Sequence, residues 1–376
     1  MASVPQGAPP DQRWQVEHER HVPRPNRRDA AATRPQRLRV VMYGLGQIGI
    51  DIARLIAQQP HLELVGAIER DPAKIGGDLG ALLGSAQPLR APIEAEAAPL
   101  LRQTRPDLVV IATTSFLQEV YPLICDCLAA GAHVVSTCEE LVYPLASHPE
   151  LAHSLDETAR AAGVVVAGIG VNPGYVMDLL PIVLTAPSIN IRHISVERAV
   201  NASTRRATVQ QRIGAGLDRL AFRGWLRQRT TPHVGLLHSL RMISDTLGWQ
   251  LDRIDESVAP IIAETWQCTP YATVAPGQVA GIHQVARGFM HGHEAVHLEW
   301  QTALGLSETY DAIRIDGTPP IDMLIRGGVH GDQAAAAYLM HALATVPTLP
   351  PGLRTVLDFP VLHYTAPVEA AAASGG

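Results

Sequence analysis

Three glycines, Gly44, Gly46 and Gly49, have the spacing G-x-G-x-x-G directly after an apolar run at residues 38–43. Gly44 suits a tight turn, Gly46 a close approach of the backbone to a pyrophosphate, and Gly49 close packing of a helix on the strand. The first turn of that helix offers free N–H groups to phosphates. A strand–turn–helix with chance glycines is the alternative. The pattern predicts a dinucleotide site whose loop is completed by Leu45, Gln47 and Ile48.

The end of the second apolar run indicates which dinucleotide is bound. Residues 62–69 end in Glu69, 20 residues after Gly49, where an acid binds the hydroxyls of the adenosine ribose. Arg70 follows directly, and a cation there pairs with the 2′-phosphate of NADP. The sequence therefore predicts NAD or NADP, with NAD slightly favoured and the use of both left open.

Three small hydroxyl residues, Thr113, Thr114 and Ser115, follow the apolar run at residues 107–113. Ligands of open parallel sheets bind beyond the carboxyl ends of the strands. These side chains are therefore expected to contact the cofactor ribose or phosphates. N-capping of the next helix by Ser115 is an equally good interpretation, and the two roles are compatible.

Two adjacent carboxylates, Glu139 and Glu140, come just after the apolar run at residues 133–137, at the same edge of the sheet. A partly desolvated carboxylate there would have a raised pKa and would serve as a general acid and base. Stabilisation of the N-terminus of the following helix is the alternative. Because consecutive side chains rarely face one point, one of the two is expected to transfer the proton. Glu139 is favoured because it is closer to the strand end.

Substrate contacts are predicted further along the chain. Asn172 and Tyr175 are expected to orient substrate or to contact the nicotinamide carboxamide, and a simple turn with a helix start is the alternative. Arg206, beside Arg205, would face a substrate carboxylate or a cofactor phosphate unless both are solvated helix charges. Tyr143 completes the predicted substrate contacts.

Four residues, His291, His293, His297 and Glu299, have a spacing that resembles a metal site. The first two histidines flank Gly292, where a hairpin turn is expected between two strands. A structural or surface role is therefore favoured, and no metal is predicted.

The composition excludes several classes of protein. The 376 residues carry a formal net charge of −6, which gives no electrostatic footprint for nucleic acid. No apolar run reaches the length of a membrane-spanning helix, and residues 1–36 lack the apolar segment of a secretory signal. Buried free thiols in a reducing cytoplasm are the favoured interpretation of four cysteines without zinc-ribbon spacing, Cys125, Cys127, Cys138 and Cys268.

Alternating apolar strands and amphipathic helices position these side chains. The alternation is typical of an α/β protein with a doubly wound parallel sheet, the Rossmann arrangement, in residues 37–170. Residues 171–326 are expected to form an α+β domain for substrate binding and dimerisation, with an open mixed sheet. Residues 327–365 contain a helix expected to return and pack on the Rossmann domain. Residues 1–36 and 366–376 are expected to be a disordered leader and tail.

The individual elements follow from the same periodicities. Strands are predicted at 38–43, 62–69, 89–93, 107–113, 133–137, 164–169, 191–200, 250–264, 271–275, 279–290, 294–304 and 310–316. Helices are predicted at 47–58, 116–130, 149–162, 174–184 and 331–344, with a mainly helical stretch at 204–247.

Eight segments, in their order along the chain, resemble those of the 2,4-diaminopentanoate dehydrogenase family. That family includes the native NAD(P)H-dependent amine dehydrogenases and is related in fold to dihydrodipicolinate reductase. The resemblance covers roughly residues 38–362 and rests on Tyr43–Gly49, Thr113–Ser115, Ser136–Leu141, Gly170–Gly174, Ala202–Arg206, Gln211–Gly216, Gly277–Gly281 and Gly327–Asp332.

The resemblance implies reversible oxidative deamination at a carbon that bears an amine. In the opposite direction a ketone or aldehyde and ammonia give an imine, which takes hydride from the nicotinamide. The family uses a glutamate in the cleft to handle protons on nitrogen, and this role carries over to Glu139 or Glu140. The expected partners are a small ketone or amine and ammonia, with no nucleic acid and no membrane. The enzyme is expected to be a cytoplasmic homodimer.

The sequence leaves two alternative functions open. A dihydrodipicolinate reductase-like or homoserine dehydrogenase-like oxidoreductase would share the architecture. A resemblance to either family, however, implies a lysine in the substrate site. The chain has a single lysine, Lys74, which follows the second strand on the adenosine side. A non-catalytic NAD-binding sensor is the other alternative, although glutamates at the nicotinamide end would be needless there.

Overall fold

The computed structural model describes residues 37–228 and 233–365, so the predicted leader and tail lie outside the described residues. Strands and helices alternate through the first part of the chain, except that two helices follow one another before the last strand. The strands are short and mainly apolar. These elements are β1 (Leu38–Tyr43), α1 (Gln47–Ala57), β2 (Leu62–Ile68), α2 (Leu79–Leu83), β3 (Ile93–Glu94), α3 (Ala97–Thr104), β4 (Leu108–Ile111), α4 (Leu117–Ala129), β5 (His133–Ser136), α5 (Glu139–Val142), α6 (Pro149–Ala162) and β6 (Val165–Gly168).

The later part of the chain begins with a short helix and then forms longer strands with fewer helices between them. Its elements are α7 (Leu179–Leu184), β7 (Ile189–Asn201), α8 (Ala207–Arg212), α9 (Arg219–Gln228), α10 (Leu236–Thr246), β8 (Arg253–Ile262), β9 (Gln267–Cys268), β10 (Thr273–Val274), β11 (Val279–Met290), β12 (His293–Ala303), β13 (Tyr310–Thr318), β14 (Ile321–Arg326), α11 (Gly331–Leu343) and β15 (Gly352–Arg354).

A seven-stranded parallel sheet has the strand order β15-β6-β5-β4-β1-β2-β3. Its central strand β4 is buried at every position, and so are residues 40–43 of β1. Such continuous burial explains their unbroken apolar sequences, because a parallel strand in a doubly wound sheet is covered on both faces. One face packs on α1 and α11 through Ile52 and Leu339, and the other packs on α4 and α6.

A six-stranded mixed sheet has the order β14-β13-β7-β12-β11-β8. In it β7 and β12 run parallel, and the other neighbours run antiparallel. One face is apolar and packs beneath α10, where Val196 and Leu298 of the sheet share a core with Leu240 and Ile243 of the helix. The strands alternate between this core face and a polar outer face, as half-buried strands do.

The predicted fold class, a Rossmann parallel sheet followed by a mixed sheet, is confirmed. Several details differ from the prediction. Residues 172–178 form turns, so the helix predicted at 174–184 begins at Leu179, where the Asp178 carboxylate accepts from the Leu179 N–H. The strand predicted at 89–93 is wrong for residues 89–92, because β3 is the two-residue Ile93–Glu94, and β14 and β15 were not predicted. The domain boundaries at residues 170 and 326 stay a prediction.

Candidate functional site

The glycine loop joins β1 to α1 in the geometry that its spacing predicts. Gly44 has a φ of +96°, in the region that favours glycine, and a Cβ there would lie 2.6 Å from the carbonyl oxygen of Ala112. A Cβ on Gly49 would collide with the carbonyl oxygen of Gly44. Gly46 faces open space, with nothing within 4 Å of an added Cβ, and it precedes α1 without any side-chain cap. The loop therefore presents bare backbone to a ligand.

Glu69 braces this loop from the end of β2. Its carboxylate accepts from the Leu45 N–H at 2.6 Å and from the Arg70 and Asp71 N–H groups at 2.7 and 3.1 Å. Burial raises the pKa of Glu69, but the three N–H donors outweigh it and lower the pKa overall. Lys74 lies here too, with Nζ 3.0 Å from the Leu45 carbonyl oxygen. The Arg70 side chain is exposed.

A cavity of about 650 Å³ extends from the glycine loop to the core face of the mixed sheet. Nine of the residues predicted for the site line it: Gly46, Gln47, Ile48, Thr113, Thr114, Ser115, Glu139, Asn172 and Arg206. Eight predicted residues are outside its lining: Gly44, Leu45, Gly49, Glu69, Arg70, Glu140, Tyr143 and Tyr175.

The structure separates the two adjacent glutamates. Glu139 faces the cavity, and its Oε1 accepts from the Ser115 hydroxyl at 3.2 Å. Glu140 points away, where its Oε2 accepts from the Leu117 N–H at 2.6 Å and lies 3.0 Å from Nε2 of His148. Glu140 therefore satisfies the first N–H of α4. The prediction that Ser115 caps this helix is wrong, because its hydroxyl is committed to Glu139 instead.

Glu139 is paired with two basic side chains of the cavity lining. Its Oε2 lies 3.4 Å from Nδ1 of His233, its Oε1 lies 3.7 Å from the Arg212 guanidinium, and its side chain is 20% exposed. Burial raises the pKa of Glu139, but His233, Arg212 and Ser115 together outweigh burial and lower it. The predicted rise of this pKa toward neutrality is therefore wrong, and the carboxylate is ionised at neutral pH.

His233 is a cavity residue that the sequence did not reveal. It stands directly after residues 229–232, which lie outside the described residues, and it is 8% exposed. Its ring centroid lies 4.6 Å from that of Trp300, which also lines the cavity. A lone histidine between two helical segments has no local pattern that marks it, since its partners come from distant strands.

The predicted substrate residues divide into two groups. Asn172 lines the cavity, and its Oδ1 is buried without a hydrogen-bond partner among the described residues. Tyr143 instead donates to Asp245 at 2.9 Å, and the Tyr175 ring packs on Tyr338 with centroids 5.2 Å apart. The geometry therefore supports a ligand contact by Asn172 and none by either tyrosine.

Two further arginines of the cavity lining, Arg205 and Arg206, lie near Asp332. Arg206 precedes α8, and its buried Nε lies 3.5 Å from Asp332 without making a hydrogen bond. Arg205 is paired more closely, at 3.0 Å from the same carboxylate, and is largely buried rather than solvated. Arg206 thus has hydrogen-bonding capacity left for a ligand, as does Arg212, which lies 3.7 Å from Oε1 of Glu139.

Another ion pair of the cavity lining, between Arg198 and Asp311, is buried. Arg198 and Asp311 are 5% and 1% exposed, and their charged atoms are 2.6 Å apart. Both also hold Val329, since Arg198 donates to its carbonyl and Asp311 accepts from its N–H. Burial lowers the pKa of Arg198 and raises that of Asp311, in each case against the attraction of the partner. The pair fixes the loop of residues 327–330, which lines the cavity.

The remaining candidate chemistry lies elsewhere. His291 and Gly292 form the β11–β12 turn, and His297 lies within ion-pair distance of Glu294 and Glu299. Across the two described ranges, no group of three or more His, Cys, Asp or Glu residues is arranged to hold a metal ion.

The cysteines are free, but not all are buried as predicted. Cys127 and Cys138 are buried, and burial raises the pKa of each thiol to about 12. Cys125 is half-buried and Cys268 is exposed on the β9–β10 hairpin, so the prediction is wrong for these two. No helix in the described part of the chain is long and apolar enough to cross a membrane.

Comparison with known proteins assigns the chain to a family. Residues 175–371, more than half of the chain, match the family model of the 2,4-diaminopentanoate dehydrogenase C-terminal domain. The chain belongs to the 2,4-diaminopentanoate dehydrogenase family. Residues 38–169 match an oxidoreductase family with an NAD-binding Rossmann fold. The predicted family and the predicted nicotinamide cofactor are therefore confirmed.

Relatives within this family match nearly the whole length. A 2,4-diaminopentanoate dehydrogenase from Acetoanaerobium sticklandii is 28% identical over 333 residues, which cover 87% of this chain and 94% of that protein. An amine dehydrogenase from Streptomyces virginiae is 25% identical over 349 residues, covering 85% and 96%. The solved structure of an amine dehydrogenase from Mycobacterium smegmatis aligns with a TM-score of 0.78 and 26% identity, covering 87% and 97%. These relatives support the prediction of an oxidoreductase that acts on amines.

Proposed function

We propose that the protein is an NAD(P)-dependent amine dehydrogenase that catalyses reversible oxidative deamination. The observation that carries the proposal is Glu139, an ionised and largely buried carboxylate. It lines the cavity that the glycine loop and the mixed sheet also line. The single lysine, Lys74, is held at the glycine loop and is not part of the cavity lining. The lysine-dependent reductase and homoserine dehydrogenase alternatives are therefore not favoured, and neither is a non-catalytic sensor.

Three features fit a nicotinamide dinucleotide. Gly46 leaves open space at the start of α1, where uncapped N–H groups suit a pyrophosphate. Thr113 and Thr114 line the next stretch of the cavity. The unpaired Oδ1 of Asn172 suits the N–H₂ of a carboxamide, because a buried acceptor is otherwise costly to leave unsatisfied. When bound, the nicotinamide exchanges hydride with the carbon that carries the nitrogen.

Glu139 manages the protons of the reaction. In the oxidative direction it removes a proton from the substrate ammonium, so that the nitrogen has a free electron pair when hydride leaves the adjacent carbon. Water then adds to the imine carbon and loses one proton to solvent. Glu139 returns its own proton to nitrogen as the C–N bond breaks, and the hydroxyl proton passes to the departing ammonia as the carbonyl forms. Ser115 and Arg212 hold the Glu139 side chain in place and favour its ionised form before each turnover.

Arg206 is proposed to bind a carboxylate of the substrate. Its Nε is buried in the cavity wall without a hydrogen-bond partner, and a guanidinium pairs well with a carboxylate. An amine that also carries a carboxylate would thus lie between Glu139 and Arg206. This arrangement favours an amino acid or diamino acid over a simple alkyl amine, in keeping with the name of the Acetoanaerobium relative.

An assay with both cofactors tests the proposed function. Oxidised cofactor is combined with 2,4-diaminopentanoate, other amino acids and alkyl amines, and reduced cofactor is combined with ketones or aldehydes with and without ammonium. We expect oxidation of an amine, and consumption of the reduced cofactor that requires ammonium. Consumption that is independent of ammonium would contradict the proposal, and an equal preference for alkyl amines would contradict the role of Arg206.

The preference for NAD is proposed to depend on Glu69. Its carboxylate would repel a 2′-phosphate, whereas the exposed Arg70 would attract one. We expect Glu69→Ser to lower the ratio of kcat/KM for NAD to that for NADP by about ten- to a hundredfold. The ratio is the decisive measurement, because loss of the bond to Leu45 weakens both cofactors alike.

The matched control for this test is Glu63→Ser, which removes the exposed glutamate that is the second residue of β2. It should leave the ratio unchanged. Arg70→Ala should weaken NADP selectively. An unaltered ratio in Glu69→Ser would show that the cofactor preference has another origin.

The cytoplasmic location and the homodimer stay predictions. The polar outer face of the mixed sheet, which includes His193, Glu294 and His297, is the surface proposed to pair with a second copy. A molar mass from light scattering that corresponds to one chain would contradict the dimer.

A further inference from the structure

His233 has one ring nitrogen in use and one without a partner. Nδ1 lies 3.4 Å from Oε2 of Glu139. Nε2 is buried and has no hydrogen-bond partner among the described residues. A proton on Nε2 would be a buried donor without an acceptor, which is costly. The imidazole is therefore best satisfied with its proton on Nδ1, where the Glu139 carboxylate accepts it.

The backbone of His233 is held from the mixed sheet. Gln284, a fully buried residue of β11, accepts from the His233 N–H at 3.3 Å and donates to the His233 carbonyl at 3.0 Å. The Gln284 amide also donates to Glu256 of β8 at 2.8 Å. One side-chain amide thus bonds both polar groups of the His233 backbone, as a neighbouring strand would do for a strand residue.

The ring itself is confined as well. It packs against Trp300 with ring planes inclined at 44°. The charged groups that face it are Glu139 from α5, Glu256 from β8 and the buried Asp178. Arg212 from α8 lies 3.7 Å from the other oxygen of Glu139. This arrangement leaves the imidazole one direction in which to donate, toward Glu139.

We propose that His233 is a positioning residue that orients the Glu139 carboxylate by donating from Nδ1, and that Gln284 transmits this constraint from the mixed sheet to the proton-transfer group. The inference rests on the proposed function, in which Glu139 exchanges protons with the substrate nitrogen. His233 does not carry the proton itself. Its contribution is to hold Oε2 while the Ser115 hydroxyl contacts Oε1, which fixes the carboxylate in one orientation and keeps it ionised for the substrate.

Two substitutions separate positioning from proton transfer. His233→Leu removes the donor and retains the bulk, whereas His233→Asn places an amide N–H at the position of Nδ1 but cannot exchange a proton. We expect His233→Leu to lower kcat by about ten- to a hundredfold, the effect of losing a hydrogen bond to a charged group, with little change in KM. His233→Asn should recover most of the rate.

The pH profile gives a readout that general damage to the fold would not produce. Loss of the Nδ1 donor removes part of what lowers the pKa of Glu139. The acid limb of kcat/KM should therefore move toward higher pH in His233→Leu and return in His233→Asn. The same titration is measurable without cofactor or substrate, by NMR of protein labelled with ¹³C at glutamate carboxyls, with Glu139→Gln as the assignment standard.

His153→Leu is the matched control, since it removes another histidine paired with a glutamate, 3.2 Å from Glu157 on the exposed face of α6. It should change neither the rate nor the titration. A His233→Asn variant as slow as His233→Leu would overturn the inference, because the imidazole would then have to carry a proton. An unmoved Glu139 titration would overturn it too. Failure of the proposed function would instead appear in the unmodified protein, as absence of ammonium-dependent turnover with the titration intact.

Discussion

Glu139→Gln is expected to lower kcat for amine oxidation by about 10²- to 10⁴-fold, the usual contribution of a positioned general acid and base. The amide has nearly the shape of the carboxylate and retains an acceptor for Ser115, but it cannot take a proton from the substrate ammonium. It also removes the negative charge that attracts that ammonium. Steady-state and single-turnover rates across pH measure the effect, and cofactor binding followed by fluorescence titration should stay within a fewfold of the unmodified protein.

Glu140→Gln provides the matched control, because it changes the adjacent carboxylate, which faces away from the cavity. That side chain accepts from the Leu117 N–H and pairs with His148. We expect kcat to change little and the free energy of unfolding to fall by about 1 kcal/mol, as for the loss of a charged helix cap. Equal losses of activity in the two variants would contradict the division of roles.

Asp311→Ala is expected to lower the free energy of unfolding by about 3–5 kcal/mol, since it leaves the Arg198 guanidinium buried without its counterion. It also removes the acceptor for the Val329 N–H, so the loop of residues 327–330 should lose its fixed position and KM should rise. Urea denaturation followed by circular dichroism measures the stability, and the kinetic assay measures KM.

Replacing both partners should be less harmful than replacing one. Arg198→Met combined with Asp311→Leu removes both buried charges, and such replacements are often close to neutral for stability. The opposite pKa shifts of the two groups show that burial opposes the charge of each, which is the physical basis for this expectation.

An exposed pair supplies the control for this second experiment. Arg192 and Asp316 form a similar ion pair at 2.9 Å, but their side chains are largely in solvent. Asp316→Ala should therefore lower the free energy of unfolding by about 1 kcal/mol or less. A loss in Asp311→Ala no larger than that in Asp316→Ala would contradict the importance assigned to burial.

The parts of the fold that the sequence predicted are those that depend on neighbouring residues. The glycine loop, β1 and α6 follow from short patterns, and α6 was predicted with its observed bounds. β15 was missed because its three residues have no pattern of their own and become a strand by pairing with β6. The same reason applies to β14, whose alternation is completed by pairing with β13.

The site shows the same limit. Sequence position placed Glu139 and Glu140 at the edge of the parallel sheet, but their different roles depend on where α4 begins. The raised pKa predicted for Glu139 omitted His233 and Arg212, because neither is near it in sequence. Burial alone would have raised the pKa, and charges from distant parts of the chain reversed the direction.

The path of the chain between the two sheets has a mechanical consequence. The backbone leaves the parallel sheet after β6, through the turns at residues 169–178, and returns from β14 to α11 through residues 327–330. Both crossings line the cavity, and both contain glycines with positive φ, Gly174 in the first and Gly327 and Gly328 in the second. A body attached at two points can turn about the line that joins them and has little other freedom. Opening and closing of the cleft would therefore be a rotation about an axis that passes beside the cavity.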